Sequence, residues 1–206
     1  MIEESLTVKA ETRTMPDGPG DEAYRLLRST VQFTTGERPV RSVLVVDIDR
    51  ATSSDVARRL AESFSMAGDR CVLVETDSRG GTKAAGFSDL IDGASLDGIA
   101  GDSEAHGLVV ISAGRATSAD TLSADGVGDA LSKLLERYEH VILTCAPMPQ
   151  FADALALAPL VDAVILVVSS GKTRRQKAID ARDALRRVGA NILGAVLSEE
   201  KRGRFR

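Results

Sequence analysis

Six short and nearly continuous apolar runs alternate with amphipathic segments along the chain. Runs of Val, Leu and Ile without polar alternation are typical of strands that are buried on both faces of a sheet. Between the runs, apolar residues recur every three or four positions, which predicts helices. The predicted strands are 42–47, 71–77, 108–114, 140–146, 163–170 and 191–198, and the predicted helices are 21 to about 36, 53–67, 125–138 and 173–188, with two short ones at 88–93 and 95–100. This alternation predicts a three-layer α/β domain, with a mostly parallel sheet between two layers of helices.

Composition refines this picture without changing the class. Aromatic residues make up 3% of the chain and Trp is absent, so the core must be aliphatic. No run approaches the roughly 20 apolar residues that span a bilayer, and the first residues lack the apolar region of a secretion signal. Both cysteines lie inside apolar runs, and neither His106 nor His140 has a neighbouring Cys or His pattern. We therefore expect a cytoplasmic chain without a disulfide or a metal site.

The ends of the chain differ in character from its middle. Residues 1–19 are polar and carry Pro16 and Gly18, which predicts a flexible leader before a domain at 20–199 and a basic tail at 200–206. Residues 172–206 hold 11 Lys/Arg and 4 Asp/Glu, although the whole chain has a net charge of −4. A solvated helix and tail explain this imbalance, and so does a surface that meets an anionic partner or lipid headgroups.

The first strand-to-helix turn is where an open parallel sheet of this kind binds ligands. It reads DIDRATSSD over 47–55, with no glycine and no lysine. A phosphate-binding loop needs glycines so that backbone N–H groups can approach the phosphates, and a lysine to balance their charge. Ser53 and Ser54 remain, and either serine can cap the following helix instead of binding a ligand.

Five segments of the chain, in order, carry a resemblance to a known family. They are 22–30 (EAYRLLRST), 42–68, 87–99 (FSDLIDGASLDGI), 153–168 (DALALAPLVDAVILVV) and 188–197 (VGANILGAVL). From Glu22 to Ser198 the sequence resembles the cytoplasmic domain of bacterial tyrosine kinases of the capsular exopolysaccharide family. That family is related to the partition and cell-division-site ATPases with a deviant Walker motif. The resemblance implies a P-loop NTPase-like fold.

Carried over position by position, the resemblance implies a degenerate nucleotide site. The phosphate-loop lysine of the family falls at Ser53, and its magnesium-binding hydroxyl at Ser54. The second acidic motif is retained in part as Glu75 and Asp77, which can still hold a hydrated cation. The later Asp-Thr-Pro-Pro motif is replaced by Thr144–Pro147, so its metal-positioning carboxylate is absent.

Two further departures from the family concern the residue that contacts adenine and the tyrosine cluster that is phosphorylated in relatives. Ser198 stands where relatives have an asparagine that contacts adenine, and the chain ends without a tyrosine cluster. Its two tyrosines, Tyr24 and Tyr138, lie in predicted helices. Phosphoryl transfer depends on positioning and on cationic stabilisation, so we expect no useful kinase or ATPase activity. No cofactor is expected; ATP and magnesium would bind only at an unorthodox site, with Arg50 or Lys172 in place of the lysine.

The resemblance also includes the Glu-x-x-Arg-x-x-Arg motif, here Glu22, Arg25 and Arg28. In relatives this motif joins neighbouring subunits in a ring, which implies an N-terminal oligomerisation helix at 20–35. Residues three apart on a helix lie on one side, and arginine can bind a carboxylate bidentately across an interface. The alternative is an exposed helix with local ion pairs, worth about 0.3–0.5 kcal/mol each.

Three functional hypotheses follow from these observations. The first is a non-catalytic pseudo-kinase that serves as an accessory or regulatory subunit in exopolysaccharide or capsule export. Its partner would be a membrane chain-length regulator or an active kinase homologue, through which it could reach the inner face of the membrane. The second is a weak or unorthodox tyrosine kinase or ATPase. The third is a positioning protein similar to the partition ATPases, although the chain lacks the aromatic and basic groove typical of nucleic-acid binding.

Overall fold

The computed structural model of the chain describes residues 6–11, 19–33, 39–48, 53–77, 84–99, 101–102, 107–115, 122, 124–150 and 152–199. The strands are β1 (Leu6–Glu11), β2 (Ser42–Asp47), β3 (Cys71–Glu75), β4 (Gly101–Asp102), β5 (Val109–Ile111), β6 (His140–Thr144), β7 (Ala163–Ser169) and β8 (Ile192–Glu199). The helices are α1 (Pro19–Phe33), α2 (Ser53–Met66), α3 (Phe87–Ile91), α4 (Ala124–Arg137), α5 (Asp153–Leu157) and α6 (Arg175–Arg187). Short 3₁₀ turns occupy Leu96–Gly98 and Ala158–Leu160.

The eight strands form one sheet in the order β1-β8-β7-β2-β6-β3-β5-β4. Every neighbouring pair is parallel except β4 with β5, which is antiparallel. The predicted α/β class with a mostly parallel sheet is therefore confirmed. All six strands expected from the apolar runs are present.

Strand β2 shows why its apolar run is continuous. Successive side chains of a strand point to opposite faces of the sheet. Val43 and Val45 pack with α1 and α2 on one face, whereas Leu44 and Val46 pack with α3 to α6 on the other. Both faces are covered by helices, so the four central positions of the strand, 43–46, are all apolar.

The leader prediction is wrong for residues 6–11, which form the edge strand β1. This strand runs parallel to β8, with Val8 opposite Val196. Its sequence, LTVKAE, alternates apolar and polar residues, which is the pattern of a half-buried strand and which the leader prediction overlooked. Local patterning does not reveal its neighbour in the sheet, because β8 lies almost 190 residues further along the chain. The remaining residues of the predicted leader before Pro19, and the whole predicted tail at 200–206, lie outside the described residues.

Other differences from the prediction concern element ends and short elements. Strand β5 is shorter than predicted: it ends at Ile111, and the next two carbonyls, of Ser112 and Ala113, accept hydrogen bonds from the start of α3. Helix α5 was not predicted, since five residues are too few to show a helical period. Asp153 is the first residue of α5, and the N-cap is Ala152, which offers no side-chain cap. Within the described ranges, no helix is both long enough and apolar enough to cross a bilayer.

Candidate functional site

The carboxyl ends of the four central strands define the place to look for a ligand site. In the sheet β7, β2, β6 and β3 are consecutive neighbours, and their last residues are Ser169, Asp47, Thr144 and Glu75. In an open parallel sheet this edge forms the crevice in which ligands bind. The topology therefore brings together the predicted site segments from across the chain.

Strand β2 ends in Asp47, which is only 2% exposed. Its backbone carbonyl accepts a hydrogen bond from the Met148 N–H at 2.8 Å, and the following Ile48 N–H donates to the Val167 carbonyl. The end of β2 is thus fixed between the segments that follow β6 and end β7. The sequence singled out Asp47 for its charge but did not predict its burial, because two flanking strands provide it.

The loop that follows is described only at its two ends. Residues 49–52 lie outside the described part of the chain, and helix α2 begins at Ser53. Ser53 and Ser54 are therefore placed at the amino end of α2, directly beyond β2. This is the position at which helix N–H groups can bind an anion. The structure does not describe the side chains of these two serines, so their predicted capping and ligand roles remain predictions.

The acidic pair Glu75 and Asp77 lies at the same edge of the sheet. Glu75 is half-buried at the end of β3, opposite Thr144 of β6 in the strand register, and Asp77 is exposed. Thr76, between them, is buried; its N–H and hydroxyl both donate to the Thr144 carbonyl, at 3.1 and 2.9 Å. The ends of β3 and β6 are therefore tied together, with both carboxylates beside this tie.

The end of β6 offers apolar and hydroxyl groups where the resemblance implies a carboxylate. Thr144, Cys145 and Ala146 are all buried. Cys145 is buried, and so is Cys71, whose pKa is raised by burial. A buried thiol in apolar surroundings is unreactive and packs as a small apolar side chain.

The described residues at this edge of the sheet contain no preformed metal site. Magnesium prefers carboxylates and phosphates in near-ideal octahedral geometry. Glu75 and Asp77 are the retained pair, yet the described residues contain no group of three His, Cys, Asp or Glu side chains that could hold a metal ion. We therefore derive no catalytic step through ATP or magnesium.

Both tyrosines are inside the protein. Tyr24 of α1 is 3% exposed, and Tyr138, just after α4, is 7% exposed. Burial raises the pKa of Tyr24 to about 12, with Asp55 and Glu62 adding to the shift and Arg59 opposing it. Most of each tyrosine side chain is therefore enclosed by the folded chain.

The Glu22, Arg25 and Arg28 motif does not present its three side chains alike. Arg25 forms an exposed ion pair with Glu22, at 3.1 Å. Arg28 is partly buried and reaches helix α2, where it donates to the backbone carbonyl of Ser63. The spacing predicted that all three would project from one side, but Arg28 contacts its own chain. The oligomer interface remains a prediction, with Glu22 and Arg25 as its exposed members.

The structure adds Arg59 to this surface, which the sequence did not single out. Its guanidinium lies over the ring of Tyr24, 5.8 Å from the ring centroid. Such a cation–π contact contributes about 0.5–1 kcal/mol at an exposed site. Arg59 lies in α2 and shares no short motif with α1, so only the packing of the two helices reveals the contact.

The strand order, the two helical layers and helix α2 starting beyond β2 define a P-loop NTPase-like α/β domain.

No protein-family profile matches the chain. The homologues of the chain are bacterial tyrosine-protein kinases. Tyrosine-protein kinase YwqD of Bacillus subtilis (strain 168) is 28% identical over 200 residues, which are 91% of this chain and 84% of YwqD. The putative tyrosine-protein kinase CapB of Staphylococcus aureus is 23% identical, with 89% of this chain and 86% of CapB covered.

Solved structures with the same fold include kinase-related and ATPase domains. The chimerical protein CapA2B2 superposes with a TM-score of 0.85 at 21% identity and covers 94% of both chains. The septum site-determining protein MinD from Pyrococcus horikoshii OT3, complexed with Mg-ADP, has a TM-score of 0.61 at 16% identity. That match covers 80% of this chain and 72% of MinD. The tyrosine kinases and the MinD-like ATPases therefore share this architecture.

Proposed function

We propose that this protein is a non-catalytic member of the tyrosine-kinase fold, an accessory or regulatory subunit in exopolysaccharide or capsule biosynthesis. The observation that carries the proposal is the chemistry of the carboxyl edge of the sheet. Helix α2 begins directly beyond β2, as it would beside a nucleotide, and the resemblance implies that the lysine and glycines of the phosphate loop are replaced in 47–55. We infer that the chain acts by docking, with no dependence on ATP hydrolysis.

The electrostatics of the 47–55 segment support this proposal. It contains three aspartates, Asp47, Asp49 and Asp55, against the single basic residue Arg50. Glu75 and Asp77 add two more carboxylates at the neighbouring strand end. A nucleoside triphosphate needs cationic and N–H donors at this place, and phosphoryl transfer needs them most in the transition state. An excess of carboxylates repels the phosphates instead.

The buried tyrosines support the proposal independently. Tyr24 and Tyr138 are the only tyrosines of the chain, and both are buried. A chain whose tyrosines are enclosed in its own core is not its own phosphorylation substrate. We infer that a regulatory role operates through the surfaces of the domain.

The proposed partner is a membrane chain-length regulator or an active kinase homologue, and helix α1 is the proposed contact. Besides Glu22 and Arg25, α1 exposes two large apolar side chains, Leu26 at 57% and Phe33 at 82%. Exposed apolar groups beside charged ones are typical of interfaces.

A Leu26→Ser, Phe33→Ser double variant should lose partners that the wild-type chain co-purifies, whereas Met66→Ser, an exposed apolar change on α2, should keep them. Recovery of no polysaccharide-assembly component by the wild type contradicts the pathway assignment.

Nucleotide binding is the decisive test of the non-catalytic proposal. Thermal unfolding of the pure protein is measured with ATP or ADP and magnesium up to millimolar concentrations, beside incubation with radiolabelled ATP. A ligand at 100 times its dissociation constant would add about 2.7 kcal/mol of stability. We expect no upward shift and no labelled product, and an Asp77→Asn variant should behave as the wild type does. A shift or a product that Asp77→Asn abolishes would overturn the proposal.

An ATP-dependent kinase is the second candidate function. It is favoured by the names of the homologues and by the retained Glu75 and Asp77. The same experiment separates the two candidates. Phosphotyrosine on an added protein substrate, lost in Asp77→Asn, is the outcome that this candidate requires.

A further inference from the structure

Helices α1 and α2 enclose a cleft of about 270 Å³ on the outer surface of the domain. This is close to the lower end of the size range of small-molecule sites. Three arginines and one glutamate contribute charge to its lining, so the formal balance is strongly positive. The polar and charged residues that line the cleft are Tyr24, Arg25, Arg28, Arg59, Glu62 and Ser63.

Arg28 has donor capacity inside the protein that its own chain does not use. Its Nη1 donates to the Ser63 carbonyl, which holds the guanidinium against α2. Its Nε is buried and has no hydrogen-bond partner. A buried donor without an acceptor costs about 1–3 kcal/mol, and more when the group is charged. Arg28 also lines the cleft, so an anion there meets a guanidinium that is already held in place by α2.

Arg59 and Tyr24 provide a second side of the same cleft. Arg59 is held over the Tyr24 ring, and burial keeps the pKa of the Tyr24 phenol at about 12. The phenol is therefore protonated at neutral pH and is an available donor. Guanidinium groups from two helices suit an oxyanion with several oxygens, because arginine can donate two parallel bonds to a phosphate.

The cleft is separate from the candidate nucleotide site. That site lies at the amino end of α2, at Ser53 and Ser54, whereas the cleft is lined by α2 residues from Arg59 onward. A helix rises about 1.5 Å per residue, so the cleft begins roughly 7 Å along the axis from Ser54 and extends away from it. An anion in the cleft does not contact the strand ends.

We propose that the α1–α2 cleft binds a small phosphate-bearing anion, with Arg28 and Arg59 as its principal donors. Glu62 also lines the cleft, and its carboxylate repels any anion that is large enough to fill the whole cleft. The occupant has its phosphate at the arginines and leaves the Glu62 side to a neutral or hydroxylated part. The inference does not depend on whether the nucleotide site is active.

Calorimetric titration of the full chain with inorganic phosphate, pyrophosphate and glucose 1-phosphate tests the proposal. We expect at least one of the three to bind with a millimolar or lower dissociation constant. Arg59→Gln should weaken that binding at least about tenfold, equivalent to 1.4 kcal/mol. Arg58→Gln is the matched control: it removes the same charge from the adjacent position, which does not line the cleft, and should leave affinity unchanged.

Arg28 gives a direct readout that does not require a variant to fold. The side-chain Nε–H signal of Arg28, observed by NMR on labelled protein, should shift on titration because an anion bound to the same guanidinium changes its electronic environment. The proposal is overturned if none of the three anions binds at millimolar concentration, or if Arg58→Gln weakens binding as much as Arg59→Gln. Loss of binding in Ser54→Ala with retention in Arg59→Gln would place the anion at the amino end of α2, and would also overturn it.

Discussion

At the scale of single residues, His140 shows how packing alters chemistry. Its ring stacks on Phe64 with the centroids 4.1 Å apart, and its Nε2 lies 3.7 Å from a carboxylate oxygen of Asp69. Burial lowers the pKa of His140; Asp69 and Glu139 oppose this effect and Arg41 adds to it. Its Nδ1 is buried without a hydrogen-bond partner. The neutral ring is therefore the form that the fold accepts.

This environment predicts that acid destabilises the fold through His140. In the folded state the pKa of His140 is below its ordinary value of about 6.5. Between these two pKa values the unfolded chain binds a proton at this histidine and the folded chain does not. The free energy of unfolding should then fall as the pH drops from 7.5 through 6.5 towards the folded pKa. Urea unfolding midpoints at several pH values measure this slope.

A His140→Gln variant should have a shallower pH slope than the wild type over the same interval. His106→Gln is the matched control, since His106 is the only other histidine of the chain, and it should keep the wild-type slope. Equal slopes in wild type and His140→Gln would contradict the assignment.

At the scale of elements, the start of α3 is fixed by a close backbone contact. The N–H groups of Phe87 and Ser88 donate to the carbonyls of Ser112 and Ala113, at 2.8 and 3.1 Å. A Cβ added at Gly86 would lie 2.3 Å from both the Ser112 oxygen and the Gly114 nitrogen. Only glycine fits here, because backbone atoms cannot move aside as the end of a side chain can.

We predict that Gly86→Ala separates α3 from the end of β5 and destabilises the protein by about 1–3 kcal/mol, as overpacking does. Gly128→Ala, in the middle of α4, makes the same chemical change where nothing lies within 4 Å of the new Cβ. It should stabilise the protein by about 0.5–1 kcal/mol. Thermal and urea unfolding of both variants check the pair, and effects of equal sign would refute the argument.

At the scale of the whole molecule, the first and the last strand of the described chain pair with each other at one edge of the sheet. Strand β1 comes from the first residues and β8 from the last, and they pair over six positions from Leu6 with Gly194 to Glu11 with Glu199. Strand β8 also pairs with β7, so β1 converts it from an edge strand to an internal one. The stability of β8 should therefore depend on the amino terminus.

We predict that deletion of residues 1–11 lowers the melting temperature by about 4–8 °C, corresponding to about 2 kcal/mol of lost strand pairing. Backbone amides of β8 should exchange with solvent faster in the truncated chain, whereas those of β6, in the sheet centre, should be affected less. Deletion of residues 1–5 alone, which precede β1, is the control and should leave β8 protected. Unchanged exchange after the longer deletion would show that β1 does not stabilise β8.

The sequence by itself determined the strands and helices whose periodicity is strong, and with them the fold class. Ser42–Asp47 and Ser53–Met66 match their predictions to within a residue, because a doubly buried strand is a continuous apolar run and an amphipathic helix repeats its apolar residues every three or four positions. The sequence also determined the absence of lysine and glycine from 47–55. Residue identity alone establishes that absence.

Only the tertiary structure decided which distant residues meet. It paired β1 with β8, tied Thr76 to Thr144, and turned Arg28 towards Ser63 instead of leaving it beside Arg25. None of these contacts leaves a local signal, because each depends on how separate elements pack against each other. A periodic pattern records which face of an element is buried, whereas the identity of the neighbour is fixed only when the sheet and its two helical layers assemble.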